Sequence, residues 1–315
     1  MKILITGGAG FIGTHLAQRL CRRHRLVLFD NLRRNSLKAA PELLTHPNVR
    51  FVKGDVLNAK ALAKAAANAD AVIHMAAIAG VSSYYQRPLE TLRVNLLGTI
   101  NALDAAVAAK VKRFIYVSTS EVFGPDARDV HELSEHRLGG VSDKRWVYAT
   151  SKLAGEQFVM RYGEAHGFAC TILRPFNIYG PRQTGEGAIS NFCAAAVSGA
   201  DFTVYGDGSP VRAWCYVSDF IDAVEAVLKN PKTGGQDFNI GNPKEVETTL
   251  GLARRMVKLC PKSKIKFKSV SRAEVRARVP LIGKARKFLG FKPKISLDEG
   301  LRRTLDWQRT LESAG

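Results

Sequence analysis

KILITGGAGFIG, residues Lys2 to Gly13, is the stretch on which the fold turns: a short apolar strand breaks at once into glycines and then into a helix. Gly7, Gly10 and Gly13 recur at every third residue, and Gly8, Gly10 and Gly13 also fill a G-x-G-x-x-G spacing. Such glycines allow a tight turn, a close approach of the backbone to a pyrophosphate, and close packing of helix on strand. The helix start then presents free N–H groups and a positive dipole end to the phosphates. Its context matches: an amphipathic helix from His15 to Cys21 follows, and then a second strand, Arg25 to Asp30. Gly7, Gly10, Phe11, Ile12 and Gly13 are therefore candidate dinucleotide-binding residues.

Asp30 closes that second strand 22 residues after Gly8, near the offset of about 20 at which an acid holds the adenosine ribose. A carboxylate there bonds the ribose hydroxyls and repels a 2′-phosphate, which favours NAD over NADP. Arg33 and Arg34 follow closely and are able to hold such a phosphate, so the residues alone leave the choice open.

The chain of 315 residues, with 46% hydrophobic and 24% charged residues, is long enough for one large or two modest globular domains. No apolar run nears the about 18 residues that cross a bilayer, and a strand opening at the second residue points to a cytoplasmic protein without a membrane partner. Cys21, Cys170, Cys193, Cys215 and Cys260 show no CxxC spacing and no His/Cys cluster, so buried, reduced thiols are expected and a metal site is not. The net charge is +19, much of it local: 13 Lys or Arg face one acid, Glu274, between Lys258 and Lys294, a net of +12. That segment lacks interleaved aromatics and any helix-turn-helix or zinc-finger signature, so a solvated basic face partly serving an anionic substrate is expected rather than a nucleic-acid site.

Further strands are expected at Val49 to Lys53, Ala71 to Met75, Phe114 to Ser118 and Cys170 to Arg174. Ala/Leu-rich helices lie between them, around Ala59 to Ala67 and Leu96 to Ala109. The alternation implies an α/β fold with a doubly wound parallel sheet, and it places Gly7, Asp30, His74 and Ser118 at one crevice outside the carboxyl ends of the strands. After Pro175 the alternation fades into Gly and Pro punctuation. The expected division is a dinucleotide-binding domain over residues 1–175 and a smaller α/β substrate-binding region over 176–315, with elements returning to the first domain from about 215–243.

Tyr148 and Lys152 stand in YATSK, four residues apart on an expected helix, so both project from one face. A tyrosine has a pKa of about 10, and a neighbouring ammonium would lower it and make the phenol a base. Thr119, just after a strand, is placed to share a substrate hydroxyl with Tyr148.

With these residues the sequence resembles the extended short-chain dehydrogenase/reductase family, specifically its nucleotide-sugar epimerases, dehydratases and decarboxylases. The resemblance runs through TGGAGFIG, FDN at Phe29 to Asn31, GDV at Gly54 to Val56, HMAA at His74 to Ala77, VNLLGT around Asn95, STSEVFG, YATSK and RPFNIYGPR at Arg174 to Arg182. It implies a Rossmann-type domain that binds NAD through the glycine loop, Asp30, Asn31, Asp55, Val56, Ala76, Ala77, Asn95, Tyr148 and Lys152. It implies a catalytic set of Thr119, Glu121, Tyr148 and Lys152, with Ser120, Asn177, Arg212 and Arg278 toward the sugar diphosphate, and a homodimer.

Family chemistry begins by oxidising the sugar C4 hydroxyl: the tyrosinate takes the proton and NAD⁺ the hydride. Glu121 then discriminates, because Thr119, Ser120 and Glu121 look like the Thr-Ser-Glu of UDP-glucuronate decarboxylases and of GDP-mannose 4,6-dehydratases. SNF at Ser190 to Phe192, TVYGDGSPVRAWCYVSD at Thr203 to Asp219 and the run Pro280 to Leu301 resemble the decarboxylase pattern, whereas LAGE at Leu153 to Glu156 is closer to the epimerases. The expected activity is of the UDP-glucuronate decarboxylase type. A UDP-sugar 4-epimerase comes next, then a 4,6-dehydratase, and from a different class a non-catalytic dinucleotide- or RNA-binding relative.

Overall fold

Alternate residues of the central strands feed two different cores. Ile3 and Ile5 pack into one and Leu4 into the other; the same division separates Leu26 and Leu28 from Val27, Ala71 and Ile73 from Val72, and Ile115 from Phe114 and Tyr116. Successive side chains of a strand point to opposite faces, so strands apolar at every position must be covered on both sides. In this computed structural model, which describes residues 1–269 and 275–312, Phe11–Leu20 and Val217–Lys229 cover one face of the sheet, and Ala59–Ala66, Gly98–Ala108 and Val147–His166 the other. Each fully buried aliphatic side chain contributes about 1.5–3 kcal/mol.

Seven parallel strands form the sheet in the order Gln236–Ile240, Ala169–Pro175, Arg113–Val117, Ala71–His74, Lys2–Thr6, Arg25–Asp30 and Val49–Lys53. Lys2–Thr6 lies between Arg25–Asp30 and Ala71–His74, the place where successive strands change direction across the sheet. A crevice opens outside the strand ends at such a switch point. The expected strands are present with shifts of one residue at their ends. The expected helix around Leu96 to Ala109 instead begins as a π-turn, Arg93–Leu97, before Gly98–Ala108. Two late elements join these layers: Gln236–Ile240 adds an edge strand, and Val217–Lys229 packs on Phe11–Leu20, with Arg19 bonded to Asp222 at 2.8 Å.

A second sheet was not legible in the sequence. Its strands run in the order Val246–Thr248, Val211–Ala213, Ala277–Pro280 and Asp126–Val130. The parallel pair between Val211–Ala213 and Ala277–Pro280 sets Arg212 directly beside Arg278.

His74 corrects an expectation. Its ring is fully buried behind the crevice rather than in it, with Nδ1 2.7 Å from Thr6 Oγ1, Nε2 3.1 Å from Thr99 Oγ1, and the Tyr116 ring stacked on it. Burial pushes its pKa down to about 3, so it is a neutral core histidine.

Four of the five cysteines are buried, Cys260 is partly so, and all are free thiols. Among the described residues no helix is long and apolar enough to cross a membrane, and no His/Cys/Asp/Glu group could hold a metal. The basic stretch spans several separate elements. Lys266 pairs with Asp201, Lys284 with Asp237 and Lys294 with Asp222, while Arg278 is buried. Its residues 270–274, including Glu274, lie outside the described residues.

Candidate active site

The crevice is a cleft of about 470 Å³ whose wall includes Gly7, Gly10, Phe11, Ile12 and Gly13 from the glycine loop. Gly7 has φ +71°, and a Cβ there would sit 2.8 Å from the Ala76 nitrogen; a Cβ on Gly13 would collide with the Gly7 carbonyl. Only glycine lets the loop, the helix and the next strand end meet so closely. The helix Phe11–Leu20 starts at Gly10 with no side chain capping it and no acid in its first turn. Its first N–H groups therefore remain available to an anion.

Asp30, Asn31, Asp55, Val56, Ala76 and Ala77 line the same cleft. The Asp30 carboxylate accepts N–H bonds from Ala9 at 3.1 Å and Leu32 at 2.7 Å, which fix its orientation, while burial raises its pKa. Asn31 donates to Asp55 at 3.1 Å, joining two of the expected residues across neighbouring strand ends. Of the two arginines able to serve a 2′-phosphate, Arg33 is held by both Glu90 oxygens, at 2.8 and 3.2 Å. Arg34 reaches the mouth of the cleft near Ser83 and Gly185. An uncapped helix start, a cradle that any Cβ would fill, and an oriented acid at the ribose position together fit NAD.

Asn95 is placed differently from the cofactor contact expected of it. It is buried behind the cleft wall, exchanging bonds with the Ile78 backbone at 2.8 and 3.2 Å and donating to Ser151 Oγ at 3.1 Å. It thus ties the loop after Ala71–His74 to the helix that carries Lys152.

Tyr148 and Lys152 both line the cleft from the helix Val147–His166, one turn apart. Their electrostatics differ from the simple pairing expected. Lys152 is buried with Nζ 4.2 Å from the centre of the Tyr116 ring, and burial pushes it down to about 7, with Glu156 offsetting part of this. Burial pushes the Tyr148 phenol up to about 12, Glu121 adds to the rise, and the Thr119 hydroxyl and the Arg34 charge pull against it.

Thr119 also accepts the Glu121 N–H at 3.2 Å, which starts the short turn Ser120–Phe123 and buries Ser120. Glu121 meets two arginines. Its Oε2 is 2.5 Å from Arg145 Nη2 and 3.4 Å from Arg278 Nη2. Arg145 and Arg278 are 5% and 1% exposed, and among the described residues three of their nitrogens, Arg145 Nη1 and Arg278 Nε and Nη2, are buried without a hydrogen-bond partner. Burial alone would raise the Glu121 carboxyl; Arg278 and Arg145, with Arg212 further off, outweigh it and hold Glu121 below the usual carboxylate range.

Arg278 also donates to the Gly124 carbonyl, and Arg212 to those of Val211 and Val275, at 2.9 Å each. Asn177, at φ +43°, donates to the Ala213 carbonyl at 3.0 Å and so sits beside the Arg212 strand, outside the cleft wall.

Sequence reasoning missed Arg145 and Tyr84. The Tyr84 ring stacks on Tyr148 with centroids 6.1 Å apart and 8° between planes, and the Arg145 guanidinium lies 5.5 Å from its centre. An arginine three residues before the tyrosine was the available signal for the first. It also missed the buried pair of Glu156 and Arg174, joined at 2.6 Å beneath Lys152 and extended by Arg174 to Asp237 at 2.9 Å.

Comparison with known proteins agrees with this geometry. Residues 3–241 match the model of the NAD dependent epimerase/dehydratase family. The chain is 35% identical over 323 residues to a UDP-N-acetyl-alpha-D-glucosaminuronate decarboxylase of Bacillus cytotoxicus, covering 99% of each. It is 34% identical over 309 residues to UDP-glucuronic acid decarboxylase 1 of Arabidopsis thaliana, covering 96% of this chain and 68% of the relative. Its structure resembles that of a UDP-glucuronic acid 4-epimerase from Bacillus cereus, solved with UDP-glucuronic acid and NAD, at a TM-score of 0.91 and 30% identity over 99% of this chain and 100% of the other. The chain therefore belongs to the NAD dependent epimerase/dehydratase family, and is an enzyme whose cofactor is NAD.

Proposed function

We propose that this enzyme decarboxylates a nucleotide-linked hexuronate, as UDP-glucuronate decarboxylases do. The observation that carries the reading is the charge balance beside Tyr148. Among the described residues, two buried guanidinium groups meet one carboxylate, and three of their buried nitrogens have no hydrogen-bond partner. An uncompensated buried cation is costly, and a carboxylate on the sugar would balance it. The relatives named as decarboxylases of glucuronate and N-acetylglucosaminuronate derivatives support the same substrate class.

NAD, when bound, supplies a two-electron oxidant with a positively charged ring. The positive charge that NAD and Lys152 bring to the site would let Tyr148 ionise, and the tyrosinate would accept the C4 hydroxyl proton, while Thr119, bonded to the phenol, orients the hydroxyl. Lys152 holds the cofactor side of the site, its buried amine kept in place by Glu156. A ketone at C4 then loosens the bond from C5 to the carboxylate: carbon dioxide leaves, its electron pair passes into an enolate at C4 and C5, C5 is reprotonated, and return of the hydride to C4 with the Tyr148 proton to its oxygen would give the pentose and close the cycle. Glu121 and Arg278 order the ring beside that carbon. Arg212 and Asn177 take the diphosphate side. In this reading residues 1–175 hold NAD, residues 176–315 hold the nucleotide sugar, and the enzyme works in the cytoplasm as a homodimer, for which the exposed Leu97 and Phe158 on adjoining helices offer apolar surface.

A second reading, C4 epimerisation of the same uronate, is favoured by the structural likeness to the 4-epimerase. Incubation with UDP-glucuronate and UDP-N-acetylglucosaminuronate separates the two: release of carbon dioxide and a pentose product supports decarboxylation, and an inverted C4 at unchanged mass overturns it. Glu121→Gln sharpens the result. In a decarboxylase the 4-keto sugar accumulates and NADH absorbance builds up on the enzyme; wild-type turnover in this variant would remove Glu121 from the chemistry.

A further inference from the structure

We infer that Arg145 is a positioning residue of the reaction, holding Glu121 with its guanidinium edge while the Tyr84 and Trp146 rings hold its face. The inference rests on the reading above, in which Glu121 acts on the substrate. Asp143 caps the turn Lys144–Trp146 by accepting the Arg145 N–H at 2.8 Å, and that turn runs directly into the helix Val147–His166. Arg145, in that turn, and Tyr148, in the first turn of the helix, are therefore three residues apart where the turn passes into the helix.

The guanidinium lies 5.2 Å from the Trp146 ring centre and 5.5 Å from that of Tyr84, and its Nη2 meets Glu121 Oε2 at 2.5 Å. Planar stacking together with a directed N–H is a task for arginine that lysine performs only in part. Arg145 is 5% exposed, and the Glu121 side chain it meets is 24% exposed.

The groups that face Glu121 are Arg145, Arg278 and, more distantly, Arg212, with Tyr84 and Tyr148 on the side of the stack. Removing Arg145 leaves the carboxylate with Arg278 alone, at the longer distance of 3.4 Å. Glu121 would then be free to turn and would take up a proton more readily.

The test compares Arg145→Gln, Arg145→Met and Arg145→Lys with Glu121→Gln and the double variant Arg145→Gln/Glu121→Gln, all loaded with NAD, using whichever neutral replacement folds. The expected result for the neutral replacements is a loss of turnover of about 10- to 100-fold with a smaller change in KM. The acid limb of the rate profile should climb toward neutral pH and return to its wild-type place in Arg145→Lys. The double variant should be no slower than Glu121→Gln alone, because both changes remove one interaction. An acid limb that stays at its wild-type pH, or losses that multiply in the double variant, overturns the inference. The wild-type product tests the functional reading separately. If it is a C4-inverted sugar of unchanged mass, that reading falls and the same cycle is read on the inversion.

Discussion

The nucleotide cradle and the charged cluster lie on either side of Tyr148, yet they are made of different material. The cradle is backbone: three glycines, an uncapped helix start and one acid, all within the first 30 residues. The cluster is side chain: Glu121, Arg145 and Arg278 come from three distant parts of the chain and meet where the second sheet closes. Backbone donors are fixed by covalent geometry and bind an anion without needing any particular neighbour. Buried guanidinium groups are different, since their charge is tolerable only in the presence of a partner that the rest of the fold delivers.

Variants at the two ends should separate cofactor affinity from turnover. The largest effect is expected at Tyr148→Phe, which removes the base and should lower turnover by about 10²- to 10⁴-fold with NAD affinity, read by fluorescence titration, nearly intact. Comparable losses in both would mean that the two ends are not separable. A smaller effect belongs to the cradle. Asp30→Ala should weaken NAD by about 10- to 100-fold through the loss of charged hydrogen bonds to the ribose and reduce discrimination against NADP, while turnover at saturating NAD changes little. Unchanged affinity for both cofactors would reduce Asp30 to a brace for Ala9 and Leu32.

The smallest effect is one of stability and concerns Lys152, which lies between the two ends. Its amine is pushed down to about 7 in the folded chain, so the folded state binds fewer protons than the unfolded one from there up to the ordinary lysine value of about 10.4. The cost of burial is therefore fully present below about pH 7 and fades as the pH rises. Lys152→Met, similar in volume and uncharged, should raise Tm at about pH 6, by about 2–4 °C for each kcal/mol of burial cost removed, and by less at about pH 9.5. A gain equal at both pH values would show that the lysine does not titrate in this range.

What could be read in advance followed the same division. KILITGGAGFIG, Asp30 and the strand–helix alternation are local patterns, each satisfied within one supersecondary unit, and the sheet and the cleft formed where those patterns placed them. His74 and Asn95 show the limit: both belong to recognisable motifs at strand and helix ends, but burial turned one into a neutral core ring and the other into a tie between loop and helix. Arg145 carried a faint signal, three residues before the tyrosine, and Tyr84 none, because a stack between aromatic rings 64 positions apart leaves no period in the sequence.

The sequence by itself determined the parallel sheet and the glycine loop of the dinucleotide cradle, because apolar alternation and glycine geometry act over a few residues. Only the tertiary structure decided the electrostatics: that Lys152 is buried against the Tyr116 ring, that burial raises the Tyr148 phenol, and that two buried arginines converge on Glu121. Proton affinities depend on distance and burial, and neither is defined until the strands Val211–Ala213 and Ala277–Pro280 pair beside the turn that carries Glu121.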